Sequence, residues 1–266
     1  MNSTVQAKGV ALVTGASSGI GAIYADRLAR RGHDLVLVAR DVAKLGAVAD
    51  RIRAATGRHV ELLPADLAAR EDVRRVEERL RSDERITLLV NNAGVGATQP
   101  LVDSDVDHLD NMIQVNVTAL TRLTRAVAPG MIRRGGGAII NIASVVALAP
   151  ALLNGTYGGT KAFVLALTQS LHHELAPHGI QVQAVLPGAT STNFWDVAGK
   201  PVDELPSEIV MDAEEMVDAS LVGFDRNELV TIPALPEVAD WDRLDAARLA
   251  LGPNLSRANA AARYRA

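Results

Sequence analysis

The chain has 266 residues, of which 48% are apolar and 22% are charged, a composition typical of a soluble globular protein. Its formal charge of -4 argues against a nucleic-acid-binding surface, because such a surface needs a basic patch. Cysteine is absent, which excludes disulfides, thiolate metal sites and a cysteine nucleophile.

Seven short, nearly continuous apolar runs predict β-strands that are buried on both faces. In chain order they are GVALVTG, DLVLVAR, VELLPAD, ITLLVNN, AIINIAS, IQVQAVLPG and ELVTIP. Amphipathic stretches predict helices at residues 19–31, 41–55, 70–84, 105–134, 155–176, 212–222 and 240–250. The alternation of strands and helices predicts an α/β protein in which helices cover both faces of a parallel sheet.

Residues 1–266 are predicted to form one domain, because no linker, repeat or low-complexity tract interrupts the pattern before about residue 190. The C-terminal extension, residues 233–266, contains one predicted helix and then a polar, alanine-rich end. This extension could dock across a subunit interface or cover a substrate pocket, and the sequence favours neither role.

Residues 189–211 break the alternation with a long segment that is rich in Pro, Ser and Thr. Loops of this length inside compact domains are usually functional or disordered. We interpret the segment as a lid over a substrate pocket, with an apolar wall made by Phe194, Trp195 and Val197. A lid that packs onto its own domain would use the same three residues.

The first predicted strand is followed by the glycine-rich stretch TGASSGIG and then by a helix. Small residues let the backbone approach a pyrophosphate, and the helix N-terminus supplies free N–H groups and a favourable dipole. The residues that would bind the phosphates are Gly15, Ser17, Ser18, Gly19, Ile20 and Gly21. Taken alone, the stretch is equally consistent with a tight strand-to-helix turn.

The other strands also end in small or polar residues, and ligands of open parallel sheets bind beyond these ends. In chain order the residues are Ala39, Arg40, Asp66, Asn92, Ala93, Gly94, Ser144, Pro187 and Gly188, and Leu67 beside Asp66 is also expected to bind the ligand. The carboxylate of Asp66 could accept a hydrogen bond from an adenine amino group or could cap the next helix. Six strand ends of this kind together favour one extended ligand.

With these motifs, the chain resembles the short-chain dehydrogenase/reductase family over roughly residues 8–190. The resemblance is carried by TGASSGIG, NNAG at 91–94, Asn116 in QVNV, Ser144, the Tyr157–Lys161 spacing and Pro187–Gly188. It implies a doubly wound Rossmann fold with a seven-stranded parallel sheet that binds a nicotinamide dinucleotide. It also implies that the catalytic residues are Asn116, Ser144, Tyr157 and Lys161, of which the last two also hold the cofactor.

Tyr157 and Lys161 are four residues apart, so on a helix they lie on one face. Without the other motifs, they could be two side chains on a helix surface. In the resembled family, the tyrosine is the proton donor, the serine holds the substrate oxygen and the lysine lowers the tyrosine pKa. An ammonium ~4 Å from the phenolate oxygen would contribute about 4 kcal/mol at an effective dielectric of 20. A phenol poised nearer neutrality is an efficient general acid–base.

Three further residues have expected roles that the resemblance implies. Asn116 would hold a water that connects Lys161 to solvent; the alternative is a surface amide. Thr192 would anchor the nicotinamide carboxamide by its hydroxyl, with Thr190 as the competing candidate.

The end of the second strand predicts the choice of cofactor. An acid at this position would bind a ribose 2′-hydroxyl, but Ala39 and Arg40 stand there. A guanidinium suits a 2′-phosphate, and Ser17 and Ser18 can add hydroxyl donors. The sequence therefore predicts NADP(H) in preference to NAD(H). The alternative is that Arg40 caps the next helix or pairs with Asp41.

The leading functional prediction is an NADP(H)-dependent oxidoreductase that transfers hydride between nicotinamide and a ketone or secondary alcohol. Imine reduction or epimerisation on the same scaffold and a non-catalytic NADP(H)-binding redox sensor are the alternatives. The resemblance implies a homodimer or homotetramer that assembles through the helices at 105–134 and 155–176.

The sequence also indicates where the protein works and what it does not bind. No apolar run reaches the roughly 18 residues of a membrane span, and the N-terminal segment lacks the pattern of a signal peptide. The histidines show no HExxH or paired-ligand spacing, so we expect no metal site. We therefore expect a cytoplasmic protein that binds neither membranes nor nucleic acid.

Overall fold

The computed structural model describes residues 8–265. Within them, seven parallel strands form one sheet in the order β3-β2-β1-β4-β5-β6-β7. The strands are β1 Val10–Thr14, β2 Asp34–Ala39, β3 Val60–Pro64, β4 Ile86–Asn91, β5 Gly137–Ile142, β6 Ile180–Val185 and β7 Val230–Thr231. The strand order reverses beside β1, which pairs with β2 on one side and β4 on the other. The predicted α/β, doubly wound Rossmann fold is confirmed.

Helices cover both faces of this sheet. The α-helices of residues 8–265 are α1 Gly19–Arg30, α2 Val42–Thr56, α3 Arg70–Ser82, α4 Val106–Ile113, α5 Leu120–Arg134, α6 Gly155–Leu175, α7 Phe194–Ala198, α8 Ala213–Asp225 and α9 Val238–Ala250. Buried side chains of α1, α2 and α8 form a core with one face of the sheet, and those of α3, α5 and α6 form a core with the other.

The helix ends follow from local residue chemistry. Gly32, just after α1, and Gly57, at the end of α2, have positive φ of 102° and 67°, which glycine tolerates best. At the start of α2, the carboxylate of Asp41 accepts a hydrogen bond from the backbone N–H of Lys44 at 3.0 Å. The predicted helices at 19–31 and 41–55 therefore agree with α1 and α2 to within one residue at each end.

The long amphipathic stretch predicted at 105–134 is not one continuous α-helix. A π-helical segment, Gln114–Ala119, separates α4 from α5. Such segments are uncommon and occur frequently at functional sites. This one carries Asn116, which a regular α-helix would present at a different angle.

The segment predicted to be a lid, residues 189–211, is closed at its base, and we keep the name lid for it. Ser191 donates its backbone N–H to the carbonyl of Met211, and Met211 donates to that of Ala189, both at 2.9 Å. Between these ends lie α7 and two short 3-10 turns, Val202–Glu204 and Ser207–Ile209. The lid is therefore a loop with internal structure whose two ends are tied together.

The described residues divide into two compact units, with the boundary between Pro233 and Ala234. The second unit contains α9 and two 3-10 turns, Gly252–Asn254 and Ala262–Tyr264. Its start lies within one residue of the start expected for the C-terminal extension. A single domain over residues 1–266 stays a prediction, and residues 1–7, on which the signal-peptide expectation partly rests, lie outside the described part.

Two negative findings apply to residues 8–265. None of their helices combines the length and the apolar character that a membrane span requires. Nor do they contain a group of three or more His, Asp or Glu side chains that could hold a metal ion.

Candidate active site

Four of the predicted side chains lie together beyond the carboxyl ends of β4 and β5. A Cβ atom placed on Gly94 would lie 3.3 Å from Oδ1 of Asn116 and 3.5 Å from Nζ of Lys161. Nζ of Lys161 lies 5.7 Å from the centre of the Tyr157 ring, and the side chain of Ser144 is close enough to Tyr157 to lower its pKa. The fold thus brings Asn116, Ser144, Tyr157 and Lys161 into one place.

The helix that carries the tyrosine starts at a residue that the sequence reasoning missed. Oδ1 of Asn154 accepts hydrogen bonds from the backbone N–H groups of Thr156 at 2.9 Å and Tyr157 at 3.3 Å. Its Nδ2 donates to the carbonyl of Gln99 at 2.7 Å and to Oγ of Ser104 at 3.1 Å. Asn154 therefore ties the start of α6 to the loop after β4. The signal was an asparagine, a favoured N-cap residue, directly before the predicted helix.

Tyr157 and Lys161 are each only 5% exposed, so the alternative of two side chains on a helix surface is wrong. Burial raises the pKa of Tyr157, and the hydrogen bond with Ser144 opposes this effect. Burial also lowers the pKa of Lys161 to about 8, and its Nζ donates a hydrogen bond to the carbonyl of Ile142 at 2.9 Å. In this structure desolvation, and not the charge of the lysine, dominates the tyrosine pKa.

Ser144 is held between the tyrosine and the end of β6. Its Oγ lies 3.4 Å from the carbonyl oxygen of Pro187 and accepts from the backbone N–H of Val146 at 3.3 Å. The backbone N–H of Val145 donates to the same Pro187 carbonyl at 3.0 Å. The hydroxyl of Ser144 is therefore fixed beside the Tyr157 ring by the strand end that precedes the lid.

The side chain of Asn116 is buried, so a surface amide is excluded. Its Oδ1 accepts from the backbone N–H of Val95 at 2.9 Å, and its Nδ2 donates to the Val95 carbonyl at 2.9 Å. Nδ2 also donates to Oγ1 of Thr160 at 3.0 Å, and that hydroxyl donates to the carbonyl of Tyr157 at 2.8 Å. Both amide hydrogens are thus engaged within the protein, and only Oδ1 has capacity left for a water.

The glycine-rich turn after β1 has the geometry expected of a phosphate-binding loop. Gly15 and Gly19 have positive φ of 66° and 52°. A Cβ atom on Gly21 would lie 2.3 Å from the carbonyl oxygen of Gly15, so a larger residue has no room there. Ser18, the N-cap of α1, makes no side-chain capping hydrogen bond. A helix start of this kind has free N–H groups that can bind an anion.

Asn92 and Thr14 join the glycine-rich turn to the loop after β4. Nδ2 of Asn92 donates to the carbonyls of Thr14 at 2.9 Å and Gly15 at 3.3 Å. Oγ1 of Thr14 accepts from the backbone N–H groups of Asn92 and Ala93, both at 3.0 Å. Thr14 was not predicted as a site residue, although its position at the end of β1, directly before the turn, was the available signal.

The two threonines of the lid occupy different places. A Cβ atom on Gly19 would lie 3.3 Å from Cγ2 of Thr192, so this threonine adjoins the glycine-rich turn. Thr190 is buried, and its Oγ1 donates to the carbonyl of Gly188 at 3.2 Å. A Cβ atom on Gly188 would meet no atom within 4 Å, so this glycine borders open space. The geometry favours Thr192 over Thr190 as the residue beside the turn.

Arg40 is exposed at the carboxyl end of β2, next to the buried Ala39. Asp41, its proposed alternative partner, caps α2 and lies 3.8 Å from Nζ of Lys44. Over the described residues 8–265 no salt bridge of Arg40 is seen, so the alternative of pairing with Asp41 is wrong there. The guanidinium is therefore accessible to a ligand at this strand end.

Asp66 does not cap α3, because the N-cap of that helix is Ala69. Its Oδ1 instead accepts from the backbone N–H of Ala68 at 3.0 Å. Its own backbone N–H donates to Oδ2 of Asp72 at 2.7 Å. The strand end that carries Asp66 and the buried Leu67 is therefore ordered by local hydrogen bonds.

An apolar cluster adjoins the ring of Tyr157. Its buried members are Ala97, Leu109, Met112, Val146 and Tyr157, with Val95, Leu153 and Phe194 packed against them. Of the three lid residues predicted as an apolar wall, Phe194 contacts this cluster, Trp195 is buried and Val197 is 66% exposed. A carbonyl compound held by Tyr157 would place its substituents among uncharged side chains.

Comparison with known proteins relates the chain to a family. A family model described as short chain dehydrogenase matches residues 9–202. The structure is similar to that of a short-chain dehydrogenase from Sphingobium yanoikuyae in complex with NADPH. The sequence identity is 54% and the TM-score is 0.94, and the match covers 97% of this chain and 100% of that one.

Two more relatives carry functional descriptions. The bulky-bulky ketone specific alcohol dehydrogenase from Comamonas testosteroni is 48% identical, with a TM-score of 0.90 over 97% of this chain and 99% of that one. The very-long-chain 3-oxoacyl-CoA reductase of Anas platyrhynchos is 38% identical over 202 residues, 74% of this chain. The matched part spans 64% of the length of that reductase.

Proposed function

The chain belongs to the short-chain dehydrogenase family, and from this membership we propose an NADP(H)-dependent oxidoreductase that acts on a ketone or secondary alcohol. The observation that carries the proposal is the buried group after β5. In it the hydroxyl of Ser144 adjoins Tyr157, and Nζ of Lys161 lies 5.7 Å from the centre of the tyrosine ring. The uncharged cluster beside this group suits a neutral carbonyl compound. The NADPH complex of one similar protein and the ketone specificity of another support the same assignment.

The residues around the glycine-rich turn fit a dinucleotide, because Gly15 and Gly21 leave no room for side chains and α1 starts without a side-chain cap. The turn and the first N–H groups of α1 would hold the pyrophosphate. Arg40, with Ser17 and Ser18, would hold a 2′-phosphate. The remaining contacts are assigned to Ile20, Asp66, Leu67, Asn92, Ala93, Gly94, Tyr157, Lys161, Pro187, Gly188 and Thr192.

When bound, NADPH supplies the hydride that reduces the carbonyl carbon. Tyr157, whose pKa is raised by burial, is protonated near neutral pH, so its Oη can give a proton to the carbonyl oxygen. Ser144 Oγ donates a hydrogen bond to the same oxygen and stabilises the negative charge that develops there. In the direction of alcohol oxidation, Lys161 stabilises the phenolate of Tyr157, because an opposite charge nearby favours the ionised form.

The test is turnover of a panel of ketones with NADPH and of secondary alcohols with NADP⁺, followed by the absorbance of the reduced nicotinamide. We expect steady, substrate-dependent oxidation or reduction of the cofactor. A folded protein that binds NADPH and turns over neither panel would contradict the proposal and favour the redox-sensor alternative.

A further inference from the structure

One aromatic side chain of the lid lies directly against the tyrosine. The ring of Phe194 is 5.8 Å from the ring of Tyr157, centre to centre, at an angle of 42°. It packs against the apolar cluster that also contains Ala97, Leu109 and Val146. It therefore occupies part of the space into which a substrate held by the tyrosine hydroxyl must place a substituent.

Gly96, in the loop after β4, provides the surface on which this ring rests. A Cβ atom on Gly96 would lie 2.3 Å from Cζ of Phe194 and 2.9 Å from its Cε2. Gly96 is not among the glycines with positive φ, so its backbone conformation does not itself require glycine. The ring explains the absence of a side chain at this position, because the three atoms nearest to an added methyl group all belong to the Phe194 ring.

The backbone that carries the ring is anchored on both sides. Nε1 of Trp195 donates to the carbonyl of Thr190 at 3.0 Å. The backbone N–H and Oγ1 of Thr98 both donate to the carbonyl of Ala198, at 3.2 Å and 2.8 Å. These bonds hold both ends of α7, so rotation of the Phe194 side chain is the smallest movement that would make room for a large substituent.

We propose that Phe194, resting on Gly96, is the residue that sets how large a substituent the carbonyl substrate can carry on the lid side. The inference rests on the proposed function, because it assumes a carbonyl oxygen bound at Tyr157. A small ketone is held against the ring, and a large ketone must displace the ring from Gly96. The neutral cluster around the ring selects hydrocarbon substituents and not charged ones.

The experiment compares 3-pentanone with 5-nonanone, which are symmetrical, so that either orientation presents the same substituent to the lid. Phe194→Ala should raise the ratio of kcat/KM for 5-nonanone over 3-pentanone by about tenfold or more, the usual worth of methylene-sized changes in an apolar pocket. Gly96→Ala should lower this ratio severalfold, because the added methyl drives the ring toward the substrate. In the Phe194→Ala background, Gly96→Ala should change the ratio by less than twofold.

Val102→Ala is the matched control, because it removes apolar atoms from the segment after β4 at a side chain that is 89% exposed. Its ratio should equal that of the wild type. An unchanged ratio in an active Phe194→Ala variant, or an equal effect of Gly96→Ala in both backgrounds, would overturn the inference alone. A folded wild-type protein that turns over neither the ketone panel with NADPH nor the alcohol panel with NADP⁺ would overturn the proposed function, and the inference with it.

Discussion

Asn116 donates a hydrogen bond to the hydroxyl of Thr160 at 3.0 Å, although the two residues belong to different helical elements. The bond joins the π-helical segment to the turn of α6 that lies between Tyr157 and Lys161. The hydroxyl of Thr160 in turn donates a hydrogen bond to the carbonyl of Tyr157 at 2.8 Å. The turn of α6 that carries the tyrosine and the lysine is therefore also held by a side chain from outside that helix.

This relationship makes Thr160 a positioning residue, and Thr160→Val tests it. The substitution leaves an amide hydrogen of Asn116 without its buried partner, which costs about 1–3 kcal/mol in the free energy of unfolding. We expect kcat to fall about tenfold or more, because small displacements of catalytic groups are costly. The pH profile of alcohol oxidation should also shift, since the environment of Tyr157 and Lys161 changes.

Thr160→Ser is the matched control for this experiment, because it keeps the hydroxyl and removes only a methyl group. Its pH profile and kcat should return close to those of the wild type. If the valine variant lost stability but kept the wild-type kcat and pH profile, Thr160 would have a structural role only.

Tyr157→Phe removes the proposed proton donor and little else. The fold and the affinity for NADPH should be kept, whereas turnover of ketones should drop by at least about 10²-fold, the lower range for general acid catalysis. Tyr264→Phe makes the same chemical change at a side chain that is 71% exposed and should leave turnover unaltered. Near-normal turnover by a folded Tyr157→Phe protein would exclude the mechanism.

The buried lysine predicts how the stability depends on pH. Burial lowers the pKa of Lys161 from its ordinary value of 10.5 to about 8. Between these two values the unfolded chain binds more protons than the folded one, so the free energy of unfolding must rise with pH. Below pH 8 Lys161 is protonated in the folded and in the unfolded chain, so the folded state bears the full cost of burying its charge.

Urea unfolding of the wild type and of Lys161→Met, at pH 7 and pH 9.5, measures this effect. At 1.36 kcal/mol per pH unit, the wild type should gain about 2 kcal/mol relative to the variant between the two conditions. Loss of the hydrogen bond to Ile142 shifts both conditions equally and cancels in the difference. Lys44→Met, at a side chain that is 66% exposed, is the control. If the free energies of unfolding of the wild type and Lys161→Met differed by the same amount at both pH values, Lys161 would not be desolvated.

Cofactor preference should depend on Arg40. A charge-assisted hydrogen bond is worth roughly 1.5–3 kcal/mol, so kcat/KM should favour NADPH over NADH by about tenfold to a hundredfold. Arg40→Ala should reduce this preference, and Ala39→Asp combined with Arg40→Ala should invert it, because an acid repels a 2′-phosphate. Arg51→Ala, an exposed arginine in α2, should change nothing. Equal use of NADH and NADPH by the wild type would show that Arg40 does not bind the phosphate.

Subunit assembly is expected through α4, α5 and α6. These helices expose large apolar side chains that one chain does not cover: Ile113 at 39%, Ile132 at 37% and Phe163 at 38%. Light scattering at micromolar concentration should show a dimer or tetramer, and Phe163→Glu should weaken it. Val42→Glu, which places the same charge on exposed α2, is the control. A wild-type monomer would contradict the prediction.

Local sequence patterns were sufficient for the fold and for much of the candidate site. The buried strands are written as continuous apolar runs, and helix ends such as Gly32 and Gly57 follow from backbone preferences that act within a few residues. The expectation for the glycine-rich turn was equally local, since glycine tolerates the positive φ that Gly15 and Gly19 adopt. These features could be predicted because neighbours along the chain determine them.

Only the tertiary structure decided the features that depend on contacts between distant segments. The pattern at 105–134 predicts one amphipathic helix and gives no sign of the π-helical segment. The side chain of Asn116 in that segment bonds to Val95 and Thr160, which are distant in sequence. The pKa of Lys161 depends on burial, which no spacing reveals. The contact of Phe194 with Gly96 joins residues almost a hundred positions apart. Desolvation and packing depend on residues that are close in space and distant in sequence, so only the folded structure shows these features.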